Sequence, residues 1–265
     1  IVNEDALYQA LKDNVIAGAA FDVWCNEPLD DNEKKLLELD NLITTPHLGA
    51  STEEAQKRVA IEVAEAAIKY LKDGVITNAI NAPRGNLDNF TAPYVSLAKK
   101  LGSMSRQITD APIDSMEVIY RDALVGKKVN ILTLNAIAGN LEAMVGIGSV
   151  NIVNAKALAD AKGLKYTEVM DETPSDYTAE INIRINSAGK TTLLRGTVFG
   201  DSARLIGVDD YRFEAALSGD ILLVTYKDVP KVIGKVGTFL GDAGVNIGQM
   251  TVGRQVNTAV MALTV

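Results

Sequence analysis

Apolar residues along this chain follow two spacings in turn. Over the first eighty residues, helical and strand-like patterns alternate. They predict a helix over Glu4–Lys12, a strand over Ile16–Asp22, a short helix over Asn32–Glu38, a strand over Leu42–Thr44 and a long helix over Thr52–Lys72. In the long helix Ala55, Val59, Val63, Ala66, Ala67 and Tyr70 fall near one face, away from Glu53, Lys57, Glu62 and Lys69. Ser51 or Thr52 is placed to cap it, with Glu54 close to the capping-box position, and Asp73-Gly74 stops it. Strand and helix in alternation build a parallel sheet.

Turn formers from Asn78 to Asn86 mark a boundary. A second unit begins there, with helices expected over Phe90–Ile108, Asn130–Val145 and Val153–Ala161, the last closed by Gly163, and a strand over Ser115–Tyr120. From Ala179 the period drops to two: Ile181, Ile183 and Ile185 alternate with polar residues. Ser187-Ala188-Gly189-Lys190 turns the chain, Leu193–Phe199 returns, and Arg204–Val208 and Arg212–Ala216 follow as shorter strands. This reads as an α+β domain with a largely antiparallel sheet. The end of the chain reads strand (Asp220–Tyr226), helix (Val232–Ala243, with Pro230 opening it and Gly244 closing it) and hairpin (Asn246–Arg254 and Thr258–Val265), a βαββ order.

The chemistry gathers at two strand ends. His47, the only histidine, follows the strand Leu42–Thr44, and Asp22 and Glu27 follow the strand before it. Ligands of parallel sheets bind beyond the carboxyl ends of the strands, so the three side chains can reach one pocket. An imidazole there suits proton transfer near neutral pH. Residue type alone leaves a second reading open, a packed histidine beside a plain turn acid before proline.

The run Gly18-Ala19-Ala20-Phe21-Asp22-Val23, through Glu27-Pro28 to Thr45-Pro46-His47-Leu48-Gly49-Ala50-Ser51-Thr52, resembles the signature of the D-2-hydroxyacid dehydrogenases. The resemblance covers Ile1–Asn81 as the C-terminal part of their nucleotide-binding domain, and the long tail points to the family's long form. It implies His47 as acid/base, Glu27 as its partner and Asp22 facing the nicotinamide carboxamide of NAD. A carboxylate behind the imidazole fixes its tautomer and raises its pKa. The implied substrate is the small molecule 3-phosphoglycerate, oxidised on the way to L-serine. The rival readings are another family member acting on glyoxylate, hydroxypyruvate or lactate, and a non-catalytic amino-acid-sensing oligomerisation module.

The same resemblance divides the chain into a Rossmann-like α/β part (1–82), an α+β intervening domain (83–218) and a partial ferredoxin-like ACT domain (219–265). In that module an amino acid, here L-serine, would meet Asp228 and Asn246 of adjacent copies, which implies a homo-oligomer. Lys231 stands where the family's turn carries glycine after the proline, and Tyr226 replaces an expected histidine. In the intervening domain Arg84, Arg195, Arg204 and Arg212 are candidates to gather around a phosphate, or are solvated charges on strand edges. The family's substrate arginine and the G-x-G-x-x-G pyrophosphate cradle do not occur in these residues, and Gly146-x-Gly148 follows a helix and reads as a loop. The expectation is a fragment truncated at both ends.

Composition narrows this reading rather than redirecting it. With 265 residues, 47% of them hydrophobic, the chain can bury real cores, and a net charge of −8 argues against nucleic acid or an anionic membrane as partner. Cys25 is the sole cysteine; it gives no disulfide and no metal-ligand spacing, so no metal is expected and a reducing cytoplasm fits.

Overall fold

The computed structural model describes residues 2–73, 76–77, 79–80 and 87–265, with Asn32 and Asp73 described by their backbone alone. The expected boundary at 78–86 lies largely outside these residues. The chain divides into two compact units, Ile1–Asn78 and Ala79–Val265.

In the first unit, helix α1 (Glu4–Lys12) is capped by Asn3, whose side chain accepts the Ala6 N–H at 2.9 Å. Strands β1 (Ala19–Phe21) and β2 (Leu42–Thr44) pair in parallel, Ala19 opposite Leu42 and Phe21 opposite Thr44. Strand β1 starts three residues later than the apolar run suggests. Val15 and Ile16 both donate to the Ala10 carbonyl, and Asn14 turns through φ 54°, so these residues finish α1 instead. The expected helix after β1 is split into α2 (Asp31–Lys34) and a 3-10 turn (Lys35–Glu38). Leu11, Trp24 and Leu36 form a small core with Leu7, Tyr8 and Phe21 packed on it.

Helix α3 (Glu53–Asp73) is capped by Thr52, whose hydroxyl accepts the Ala55 N–H at 3.2 Å. Ala55 therefore occupies the capping-box position and Glu54 does not. Among the described residues the apolar stripe of α3 stays largely in solvent: Val59, Val63, Ala67 and Tyr70 are exposed, and only Ala55 and Ala66 are half-buried.

The second unit opens with α4 (Tyr94–Gln107), followed by β3 (Ser115–Asp122), α5 (Asn130–Val145) and α6 (Ala155–Lys162). Then come β4 (Lys165–Asp171), β5 (Ala179–Ser187), β6 (Lys190–Phe199), β7 (Ser202–Val208) and β8 (Tyr211–Ala216). They form one six-stranded sheet in the order β4-β3-β5-β6-β7-β8, in which only β3 and β4 run parallel. Strand β4 was not expected, because at this edge only Tyr166, Val169 and Met170 are large and apolar and no alternation marks them. Helices α4 and α5 cross closely on one face. A Cβ added at Gly102 would lie 1.9 Å from the Ala136 carbonyl oxygen, and one at Gly139 would lie 2.0 Å from that of Lys99. Gly146 and Gly148 take φ of 111° and 81° in the loop after α5, as read.

The βαββ segment follows: β9 (Ile221–Lys227), α7 (Val232–Asp242), β10 (Gln249–Arg254) and β11 (Thr258–Thr264), in the antiparallel order β10-β11-β9. Leu240 of α7 packs with Met261, Leu263, Val224 and Tyr226 on one face of this sheet. The opposite face, Ile221, Leu223, Val260 and Ala262, belongs to the core of the larger sheet. At the junction Gly253 passes so near β8 that an added Cβ would lie 2.8 Å from the Arg212 carbonyl oxygen, and Tyr211 Oη stands 2.6 Å from Thr258 Oγ1. Pro230 is not the first helical residue. Lys231, at φ 75°, intervenes as the N-cap.

Candidate active site

His47 and Glu27 meet. The carboxyl ends of β1 and β2 lie side by side because the strands are parallel and in register, and each leads directly into a loop that bears one of the two residues. Glu27 Oε2 stands 2.6 Å from His47 Nδ1, and Oε1 accepts the Trp24 N–H at 3.1 Å. A carboxylate only accepts, so it fixes the proton on Nδ1 and leaves Nε2 as the nitrogen that exchanges one. The hydrogen bond to Glu27, then its charge, hold the imidazole above its usual pKa, and the bond to His47 holds the Glu27 carboxyl below its own. The side chains are 56% and 37% exposed, so a small molecule can reach the imidazole from solvent.

Asp22 directly follows β1. Its carboxylate accepts the Thr45 hydroxyl at 2.5 Å, the Leu48 N–H at 2.7 Å and the Gly49 N–H at 2.9 Å. The bond from Thr45, then that from Leu48, lower its pKa. A carboxylate offers about four lone-pair sites, and donors among the described residues take three of them. A cavity of about 390 Å³ opens beside His47 and Glu27, with Trp24, Leu29, Leu37 and Pro46 as apolar wall and Glu27, Thr45 and His47 as polar wall; Asp22 is not among its lining residues, so the three side chains do not share this cavity as expected. Sequence reasoning found the acid and the base but not Thr45 or the Trp24 amide, whose parts depend on loop geometry that no periodicity encodes.

The other candidates are distributed as follows. Cys25 is exposed. Asp228 accepts from Arg254 Nε at 3.1 Å, and Asn246 is exposed just before β10. Tyr226 Oη is buried without a hydrogen-bond partner among the described residues. Arg195 donates to the Asp209 carbonyl oxygen and is held below its usual pKa by burial and then by the charge of Arg212. Arg212 pairs with Asp176 at 3.5 Å, and Arg204 buries its Nε without a hydrogen-bond partner among the described residues. Arg84 lies outside the described residues. Among the described residues no cluster could hold a metal ion, and no helix is long and apolar enough to cross a membrane.

Comparison with known proteins places this chain in a family. Residues 1–49 match the NAD binding domain of the D-isomer specific 2-hydroxyacid dehydrogenases, so the His47 end of β2 falls inside the match. Residues 91–209 match the D-3-phosphoglycerate dehydrogenase intervening domain. The chain belongs to the D-3-phosphoglycerate dehydrogenase family. It is 34% identical over 256 residues to D-3-phosphoglycerate dehydrogenase of Archaeoglobus fulgidus, covering 96% of this chain and 48% of that one. The chloroplastic D-3-phosphoglycerate dehydrogenase 2 of Arabidopsis thaliana is 35% identical over 286 residues, covering 100% and 46%. The Bacillus subtilis enzyme is 33% identical over 260 residues, covering 96% and 49%. The chain thus spans about half the length of the curated relatives it matches.

Proposed function

We propose that this chain is the catalytic-histidine portion and regulatory tail of an NAD-dependent D-3-phosphoglycerate dehydrogenase, which oxidises 3-phosphoglycerate to 3-phosphohydroxypyruvate for L-serine synthesis. The observation that carries the reading is the 2.6 Å contact of His47 Nδ1 with Glu27 within the segment matching an NAD binding domain. When bound, NAD supplies the hydride acceptor. His47 Nε2 takes the proton of the substrate hydroxyl and returns it in the reverse direction. Glu27 stabilises the imidazolium formed, and the last lone pair of Asp22 is the group in this chain suited to the nicotinamide carboxamide.

The remaining assignments belong to the same reading. Residues 1–82 belong to a Rossmann-like domain, 83–218 are the intervening domain and 219–265 belong to an ACT domain. Asp228 and Asn246 of adjacent copies receive L-serine as effector, the protein is a homo-oligomer, and it works in the cytoplasm.

The test is steady-state kinetics in a protein carrying the full length of its relatives. His47→Ala is expected to lower kcat about 100-fold or more with 3-phosphoglycerate and NAD, and Glu27→Gln to move the acid limb of the pH profile. Near-normal turnover in His47→Ala overturns the acid/base assignment, and no NAD-dependent oxidation in the unmutated protein overturns the function.

A further inference from the structure

The backbone at His47 has φ of 52°, a left-handed conformation that a side chain with a Cβ adopts at a cost of about 1–2 kcal/mol. Something must hold it there. Three elements of the turn end on the Asp22 carboxylate: the Thr45 hydroxyl before the histidine, and the Leu48 and Gly49 amides after it. The His47 N–H itself donates to the Asp22 carbonyl oxygen at 3.1 Å. One residue at the end of β1 therefore grips the turn on both sides of the imidazole and at its own amide. The imidazole in turn meets Glu27, five residues further along the chain from Asp22.

We propose that Asp22 is a positioning residue for His47: it clamps the turn 45–49 so that the imidazole stays against Glu27. This role is separate from any contact with a cofactor, and it rests on the reading of His47 and Glu27 as an acid/base pair. Asparagine in its place is isosteric, but it would set an NH₂ donor against amide donors on one side, which breaks part of the clamp.

His47 is the only histidine in the chain, so its imidazole can be followed by NMR without assignment and without cofactor or substrate. Glu27 and Asp22 are the charged groups acting on it, so loss of the Asp22 charge would itself lower the pKa. A double-mutant cycle separates the two effects. Clamping acts through Glu27: Asp22→Asn should lower the His47 titration midpoint by about 0.5 or more, and by clearly less once Glu27→Gln is in place. Equal shifts in both backgrounds overturn the proposal, because a bare field effect does not need Glu27.

Thr45→Val leaves every charge in place and covers the case in which Asp22→Asn fails to fold. A lowered midpoint supports the clamp, and an unchanged one overturns it. These titrations are independent of turnover. A full-length protein without dehydrogenase activity would overturn the proposed function and leave the clamp standing, whereas a failed cycle would do the reverse.

Discussion

His47 Nδ1 and Glu27 Oε2 stand 2.6 Å apart across 20 residues of sequence, and each favours the charged form of the other. The sign of the pH effect follows. His47 is raised, so the stability of the pair is complete below the imidazole's ordinary value of 6.5 and fades as pH rises through the folded, higher value. Glu27 is lowered, so the contribution is present above the ordinary carboxyl value of 4.5 and is lost as pH falls through the lower folded one. NMR titration of the single imidazole should give a midpoint above 6.5 that drops towards it in Glu27→Gln. A wild-type midpoint at or below that value would contradict the pairing.

Trp24, the only tryptophan, sits in the small core of the first unit with Leu11 and Leu36. The second unit buries far more apolar residues around its six-stranded sheet. Stability scales with buried apolar area, so the two units should unfold separately. Trp24 fluorescence is expected to change at lower urea than the main circular dichroism transition. Coincident curves would mean that the units unfold as one.

Gly139→Ala tests the helix crossing. Helix propensity alone favours alanine by about 1 kcal/mol, but its Cβ would lie 2.0 Å from the Lys99 carbonyl oxygen, a backbone atom that cannot step aside. The clash outweighs the propensity, and a net loss of about 3 kcal/mol is expected. A urea midpoint equal to or above wild type would show that α4 and α5 have room to part.

Lys231 holds φ of 75° at the start of α7. Glycine removes a left-handed penalty of about 1–2 kcal/mol and adds back about 0.5–1 kcal/mol of unfolded-state entropy. Lys231→Gly should therefore stabilise the second unit by about 0.5–1 kcal/mol, read as a higher urea midpoint, whereas Lys231→Ala keeps the Cβ and should gain little. Equal behaviour of the two variants would argue against strain at this position.

Much of the secondary structure was legible because its signals are local. The α1, β2 and α5 limits, the 187–190 hairpin and the stop at Gly163 all follow from periodicity and turn residues. Strand β4 was not, since an edge strand with one paired neighbour carries a thin apolar signal. The α3 stripe shows the opposite failure, a clear helical face whose large described residues Val59, Val63 and Tyr70 are exposed. In the site, the histidine and its acid were legible as residue types at strand ends. The bonds that fasten the turn to Asp22 were not, because they depend on where three amides and a hydroxyl arrive in space.

The close passage of Gly253 over Arg212 limits how the small sheet can meet another molecule. One of its faces carries α7 and the other lies against β8, so neither is free for a second sheet to stack upon. Among the described residues the outer margins of β9 and β10 have no strand beside them. Growth of this sheet is therefore lateral: it can widen, strand by strand, within its own plane, but it cannot thicken.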